Sequence, residues 1–254
     1  MRITRLLPTL IAALMAALTL STAAVAQDRS PGDRAPAGVT TENRAADSGN
    51  GGPKPIIGGG YAQSGPWAAR LFSAGRQTCS ATIIAPTWIL TAKHCVSGGQ
   101  LSFRIGSLDQ TSGGTMANGA QVHTHSSDLA LVRLDRSVQG TYATLGQPGS
   151  VSVGQSVQVY GWGATARCSP EINCQSQLLK YANVTVTGGC ADAYGGNAIC
   201  ARRGNGITAG GDSGGPMMAN GVQVGVASTS DRQTTTAYTN VTQYRSWIRS
   251  IAGV

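Results

Sequence analysis

Gly211-Asp212-Ser213-Gly214-Gly215-Pro216 is the stretch on which the reading of the fold turns. It sets a serine among glycines, which reach positive φ at no steric cost and leave backbone N–H groups uncovered. Such a turn suits a nucleophilic hydroxyl with N–H donors close by. Residues 211–215 also satisfy the looser pattern G-x-S-x-G, the strand–turn–helix elbow of α/β hydrolases. In that architecture the histidine base follows the serine along the chain. Here the histidines are His94, His123 and His125, all upstream. The α/β reading fails on chain order, and the turn must sit in another fold.

The flanking sequence points to an all-β chain. Short β-branched and apolar runs recur between Gly, Ser and Asn clusters: Thr82 to Leu90, Leu129 to Leu134, Val157 to Trp162, Val184 to Val186 and Val222 to Ser228. Helical periodicity is nearly confined to the C-terminus. There Thr242 is positioned to cap a short helix with Tyr244, Trp247, Ile248 and Ile251 on one face. Many short strands separated by turns predict a sandwich or barrel. Residues 56–254 are enough for one large core or two small barrels.

Upstream of Ile56 the composition changes. Arg2 and Arg5 precede an apolar run from Leu6 to Leu20, and Ala24-Val25-Ala26 follows as a small-x-small cleavage site. This predicts a secretory signal peptide over residues 1–26. The run is short of the roughly 20 residues a membrane span needs. Residues 27–55 are rich in Asp, Arg, Ala, Gly, Ser and Pro without a hydrophobic period, and read as a propeptide. Ordered sequence begins at Ile56-Ile57-Gly58-Gly59. The exported chain then has no membrane attachment.

Six cysteines, Cys79, Cys95, Cys168, Cys174, Cys190 and Cys200, all follow the signal. An even number in an exported chain implies disulfides, with 15 possible pairings for six cysteines. No C-x-x-C occurs, and His94 alone lies next to a cysteine, which argues against zinc. The net charge is +8, and residues 56–254 hold 13 basic against 7 acidic side chains. These cations are scattered and aromatics are few. A nucleic-acid groove would need a stripe of both, so that class of partner is excluded.

A serine hydrolase needs a base for the hydroxyl proton, a carboxylate that fixes the base's tautomer, and donors for the oxyanion. Thr91-Ala92-Lys93-His94-Cys95 follows the apolar run Trp88-Ile89-Leu90, and Asp128 opens the run Leu129-Ala130-Leu131. Each candidate thus stands at the edge of buried sequence, where a carboxylate requires a hydrogen-bonding partner.

Taken in order, Ile-Ile-Gly-Gly at 56–59, Thr-Ala-Lys-His-Cys at 91–95, Asp-Leu-Ala-Leu at 128–131, Gly-Trp-Gly at 161–163 and Gly-Asp-Ser-Gly-Gly-Pro at 211–216 resemble the trypsin/chymotrypsin family, including its bacterial trypsin-like members. Tyr238-Thr239-Asn240-Val241 and the segment around Trp247-Ile248 resemble the family's C-terminal end. The resemblance spans 56–254. It implies two six-stranded antiparallel β-barrels with the active site in the cleft between them, and a short C-terminal helix. It also implies a monomeric, secreted serine endopeptidase that acts on polypeptides, is open to proteinaceous inhibitors and needs no cofactor. Ser213 is then the nucleophile, His94 the general base and acid, and Asp128 the orienting carboxylate. The N–H groups of Gly211 and Ser213 form the oxyanion hole. Ser228 supports the aspartate, and Ser228, Thr229 and Ser230 pair with substrate backbone. Cleavage before Ile56 frees an ammonium group that pairs with Asp212, so the precursor is a zymogen. The same resemblance pairs Cys79 with Cys95 and Cys190 with Cys200, leaving Cys168–Cys174 as a local clamp.

The departures bear on specificity. Ile207 stands where trypsins carry an aspartate, and Thr208, Ser230 and Thr236 align with other pocket walls. With no carboxylate at the base, the expected preference at the cleaved residue is small or medium apolar, not Arg or Lys. Asp231 is the residue that would overturn this if it entered the pocket. Ala209 replaces a family cysteine beside the pocket. Lys93, one residue before the histidine, is expected to reach solvent. Gly106 to Ser127 carries one acid, Asp109, too few for a calcium loop. His123 and His125 lack a third ligand, so no metal is expected there. A non-catalytic binding protein and a secreted esterase are the rival readings. The first is disfavoured because all three triad residues are present.

Overall fold

The computed structural model describes residues 56–254. The expected signal peptide and propeptide, residues 1–55, lie outside them.

Period-2 burial builds the strands. In Leu101–Ile105, Leu101, Phe103 and Ile105 are buried while Ser102 and Arg104 are partly exposed, the pattern of a sheet with one face on a core. Two short strands, β1 (Ile57–Gly58) and β2 (Gly60–Tyr61), lead into β3 (Ala68–Ser73), β4 (Arg76–Ala85), β5 (Trp88–Thr91), β6 (Leu101–Ile105), β7 (Thr115–Thr124) and β8 (Ala130–Leu134). The last six close into an antiparallel barrel in the order β3-β4-β5-β8-β7-β6. Pro86 and Thr87 interrupt the run expected from Thr82 to Leu90, which becomes the end of β4 and most of β5. Proline has no N–H for the ladder, so the strand turns there.

The second half supplies β9 (Ser156–Gly161), β10 (Lys180–Ala191), β11 (Asn197–Arg203), β12 (Gly206–Ile207), β13 (Pro216–Ala219), β14 (Val222–Ser230) and β15 (Thr235–Asn240). Six of these form the ring β9-β10-β11-β15-β14-β13, closed because β13 also pairs with β9. β2 adds to β10, and β1 pairs with β12. Closure of both rings removes the unpaired strand edges that an open sheet would expose.

Leu71, Ile83, Leu90, Phe103 and Leu131 fill the first barrel. Val159, Val184, Ile199, Met217 and Tyr238 fill the second. A smaller cluster of Trp162, Leu179, Ala62 and Ala68 adds to them. Hydrogen bonds then fasten one barrel to the other: Ser80 N–H to Ser213 C=O at 2.8 Å, and Thr82 Oγ1 to Gln223 Oε1 at 2.9 Å.

The C-terminal helix, α1 (Arg245–Ala252), puts Ile248 wholly into the first-barrel cluster. Thr242 does not cap it. Asn240, in extended backbone, accepts the Thr242 N–H and caps a short 3₁₀ turn, Val241–Gln243, that precedes the helix. The extra turn moves the helix start past Thr242. Among the described residues, no helix is long and apolar enough to cross a membrane.

Candidate active site

His94 lies on a single 3₁₀ turn, Lys93–Cys95, directly after β5. A disulfide joins Cys95 to Cys79 on β4 and ties that turn to the barrel wall. Asp128 sits just before β8, fully buried. Its Oδ2 accepts from His94 Nδ1 at 2.8 Å and from Ser228 Oγ at 2.7 Å. Its Oδ1 accepts the His94 backbone N–H at 3.0 Å. Burial alone would raise the Asp128 carboxyl, but the bonds from His94 and Ser228 and the attraction of His94 outweigh it and hold the group below its ordinary range. Nδ1 is thereby fixed as the donor, which leaves Nε2 as the ring's acceptor.

Ser213 belongs to the turn between β12 and β13. Ser228 lines the same small cavity as Ser213, so the support of the aspartate and the candidate nucleophile share one wall. Gly214 packs against Thr91 and Ala92, just before His94. Among the described residues, no hydrogen bond joins the Ser213 hydroxyl to the imidazole. Such bonds are often long in a substrate-free enzyme and tighten in the complex.

Gly211 has φ +101°, a conformation that side chains other than glycine rarely adopt. The Gly210 carbonyl accepts from Ala164 N at 2.8 Å. In a trans peptide the N–H of Gly211 then points the opposite way. Among the described residues, neither the Gly211 nor the Ser213 N–H has a protein acceptor, so both remain able to bind an oxyanion.

Asp212 turns inward and is fully buried. Its carboxylate accepts from Gly163 N at 2.7 Å and Ala209 N at 2.9 Å. Desolvation pushes it up to about 6, partly offset by those two bonds and by attraction to Arg70 and Lys180. Gly161 and Gly163 flank this carboxylate so closely that a methyl group on either would collide with it. That is a physical reason for Gly-Trp-Gly at 161–163. Ile56 is wholly buried in the second-barrel cluster.

The cavity beside Ser213 holds about 40 Å³ and is lined by Thr208, Ala209, Ala227, Ser228, Thr229, Ser230 and Arg232 as well as Ser213. Ile207 does not line it, being buried in β12 opposite Ile57. Thr236 lies behind Thr208, with their hydroxyls 2.8 Å apart. Asp231 faces its own turn, accepting from the backbone N–H groups of Gln233, Thr234 and Thr235.

Three contributors escaped the sequence reading. Arg232 reaches the cavity and makes a two-point ion pair with Glu171, at 3.1 Å for each bond. Asp192 accepts the Asp128 backbone N–H at 2.9 Å, and its neighbour Ala193 donates to Ser228 Oγ at 3.0 Å. Arg70 is fully buried behind the Gly211 turn. An arginine inside Ala68-Ala69-Arg70-Leu71 was the one available signal, since a charge in an apolar strand must find partners.

Lys93 is partly exposed. Its Nζ lies 4.4 Å over the Tyr194 ring, a favourable cation–π contact. The other disulfides are Cys168–Cys174 and Cys190–Cys200. Among the described residues, the one cluster with metal-ligand spacing is Cys79, His94 and Cys95, and its sulfurs form the disulfide. His125 Nδ1 contacts Ser127 Oγ at 2.8 Å, and the ring packs near Tyr244 and Trp247.

The trypsin family profile matches residues 56–248. Kallikrein-11 from Homo sapiens is 32% identical over 217 residues, covering 73% of this chain and 76% of its own. Brachyurin from Leptuca pugilator is 30% identical over 227 residues, covering 78% of this chain and 99% of its own. Among solved structures, human heparin binding protein superposes with a TM-score of 0.68 at 25% identity, covering 78% of this chain and 97% of that one.

Proposed function

The chain belongs to the trypsin family and is a serine endopeptidase, and we propose that it cuts polypeptides with Ser213, His94 and Asp128. The observation that carries this assignment is the buried Asp128 carboxylate, bonded at once to His94 Nδ1 and to Ser228 on the wall it shares with Ser213.

The chemistry follows from those positions. Ser213 Oγ attacks the scissile carbonyl carbon and gives its proton to His94 Nε2. The carbonyl π electrons move to oxygen, where the N–H groups of Gly211 and Ser213 bind the charge. Asp128 stabilises the imidazolium. Collapse breaks the C–N bond, and His94 returns the proton to the departing amine. Water repeats the sequence on the acyl-enzyme, regenerating Ser213 and releasing the acid. Labelling by a peptide phosphonate tests the assignment directly. The label belongs on Ser213, and a labelled enzyme that hydrolyses simple esters but not casein would sink the peptidase reading.

Specificity is proposed for small or medium apolar side chains. The cavity has room of the order of a few waters, too little for a long basic chain. Arg232 at its edge occupies the Glu171 carboxylate in a two-point ion pair, which leaves that carboxylate engaged and not free to bind a substrate Arg or Lys. The substrate backbone is expected to pair with Ser228 to Ser230.

The chain is proposed to be exported by residues 1–26 and made as a zymogen. Cleavage before Ile56 would free an α-ammonium group for Asp212, whose burial leaves its charge in need of compensation. The pair should raise the amine above its usual ~7.7–8.0. The active form is then favoured below that range and lost as pH rises through the raised value. N-terminal sequencing of the active enzyme checks the site, and full activity with the 55–56 bond intact would refute the scheme.

A further inference from the structure

The wall behind the oxyanion turn is charged. Arg70, on β3, is fully buried, and its Nη1 donates to the Gly211 carbonyl at 3.1 Å and to the Cys79 carbonyl at 3.3 Å. Its Nε donates to Gln110 Oε1 at 2.9 Å, and its Nη2 donates to Gln175 Oε1. Gln175 in turn donates through Nε2 to the Gly210 carbonyl at 3.3 Å. Ser80 Oγ adds a second donor to Gly211 C=O at 2.9 Å. Consecutive carbonyls of the turn are therefore gripped from within the protein, Gly211 by the guanidinium and Ser80, and Gly210 by the amide that the guanidinium orients together with the Ala164 N–H.

That arrangement has a geometric consequence. Each peptide plane is rigid, so fixing its C=O fixes the direction of the N–H on the same plane. The Gly210 carbonyl sets the Gly211 N–H. The Gly211 carbonyl sets the Asp212 N–H, while the plane that carries the Ser213 N–H is held at its Asp212 carbonyl by the Gly215 N–H at 2.9 Å. Burying a guanidinium is costly, and a well-packed apolar side chain would serve stability at least as well. Burial does pull Arg70 down to about 9, while attraction to Asp212 opposes the fall.

We propose that Arg70, acting through Gln175 on the Gly210 carbonyl and directly on the Gly211 carbonyl, is a positioning residue that aims the Gly211 N–H of the oxyanion hole at the transition state. This rests on the active-site assignment above but concerns a residue that touches no substrate. Binding of the ground-state substrate depends little on that aim, whereas stabilisation of the developing oxyanion depends on it closely.

The test compares the full chain, expressed and processed as the native enzyme, with Arg70→Met, Arg70→Lys and Gln175→Leu. Loss of a whole oxyanion donor costs ~10²–10³ in kcat, and mis-aiming should cost less. Arg70→Met and Gln175→Leu are expected to lower kcat about 10- to 100-fold with KM changed less than about twofold. A peptide aldehyde should lose affinity by a matching factor, because its adduct carries the oxyanion. Lysine keeps the charge without the fork and should restore little.

Folding is checked by the thermal midpoint. Gln175 is only partly buried, and its variant decides the matter if Arg70→Met does not fold. A folded Gln175→Leu or Arg70→Met enzyme with kcat within twofold of the parent overturns the inference. So does full rescue by lysine, or a loss confined to KM. A parent enzyme that neither takes the phosphonate nor cuts peptides overturns the function itself, which separates the two failures.

Discussion

In the uncleaved chain Asp212 is a buried carboxylate without the N-terminal ammonium that cleavage would free, and this makes folding stability depend on pH in a calculable way. It titrates near 6 instead of the ordinary 3.8, so keeping it ionised in the fold costs about 3 kcal/mol. The sign follows from linkage. Between those two values the folded chain holds more proton than the unfolded one, so stability falls as pH rises from about 4 to about 6 and is flat above. Integrated between pH 4.5 and 7.5, this one group removes about 2 kcal/mol. The perturbation is Asp212→Asn, made with Ser213→Ala to prevent self-digestion and with the 55–56 bond intact. Urea unfolding at the two pH values should show the parent losing about 2 kcal/mol more than the asparagine chain. Asp109, Asp135 and Asp231 are held below the carboxylate range. Their contributions are lost on acidification and are common to both chains, so they cancel. Asparagine sacrifices one of the two bonds from Gly163 and Ala209, which lowers stability at both pH values but leaves the difference intact. Equal pH dependence in the two chains, within about 0.5 kcal/mol, would refute the reasoning. In cleaved enzyme the ammonium should abolish the fall and replace it with a loss of stability above the raised amine value.

Asp128→Asn should lower kcat by about 10⁴ with the fold intact, because an amide presents a donor where His94 Nδ1–H and Ser228 O–H need an acceptor. Burst titration with a peptide ester, alongside a thermal melt, checks it; retention of a tenth of kcat would contradict the role. Ser228→Ala strands one Asp128 lone pair and the Ala193 N–H, and should cost about 1–3 kcal/mol in denaturant unfolding. Across tetrapeptide anilides differing only at the cleaved residue, Ala and Val should exceed Arg at least tenfold in kcat/KM, one decade per 1.36 kcal/mol. Strong Arg selectivity would reject the pocket assignment. Asp192→Asn should slow turnover less than Asp128→Asn does, since it acts on the aspartate's backbone and not on the imidazole.

Chain order, glycine placement and strand periodicity make an all-β sandwich or barrel and the candidates His94, Asp128 and Ser213 legible, because each is a local statement; the pair of six-stranded barrels and the residues' roles are what the family resemblance implies. A helix base falls where Tyr244, Trp247, Ile248 and Ile251 share a face, and a turn falls where Gly211 needs positive φ. What the sequence could not convey were contacts made by side chains from distant segments. Arg232 was read past because nothing local says that a loop arginine will meet Glu171, 61 residues earlier, at the edge of the pocket. Asp192 sits in a short loop whose reach to Asp128 depends on the lengths of β10 and β11 and on where their hairpin closes. Thr242 does not cap the helix because Asn240 caps a 3₁₀ turn that takes in Thr242 and moves the helix start to Arg245. The family resemblance aligns Ile207 with the pocket base, whereas the side chain is wholly buried in β12 opposite Ile57 and does not line the cavity beside Ser213.

The buried charges follow one logic. Arg70, Asp212 and Lys180 are each almost wholly inaccessible, and attraction from both cations lowers Asp212. Lys180 Nζ also donates to Gly58 C=O at 2.9 Å, on the segment that follows Ile56. A fold selected for stability alone would replace such groups with hydrocarbon, since desolvation commonly exceeds the Coulomb gain. Here their polar ends converge on two short segments, the 56–59 entry strand and the 210–213 turn. In the proposed scheme one would dock and the other would hold its N–H groups outward for catalysis. The cost of burial is therefore concentrated where direction matters. Removing any one of these charges should disturb turnover more than it disturbs the barrels, whose closure rests on backbone ladders that none of these side chains makes.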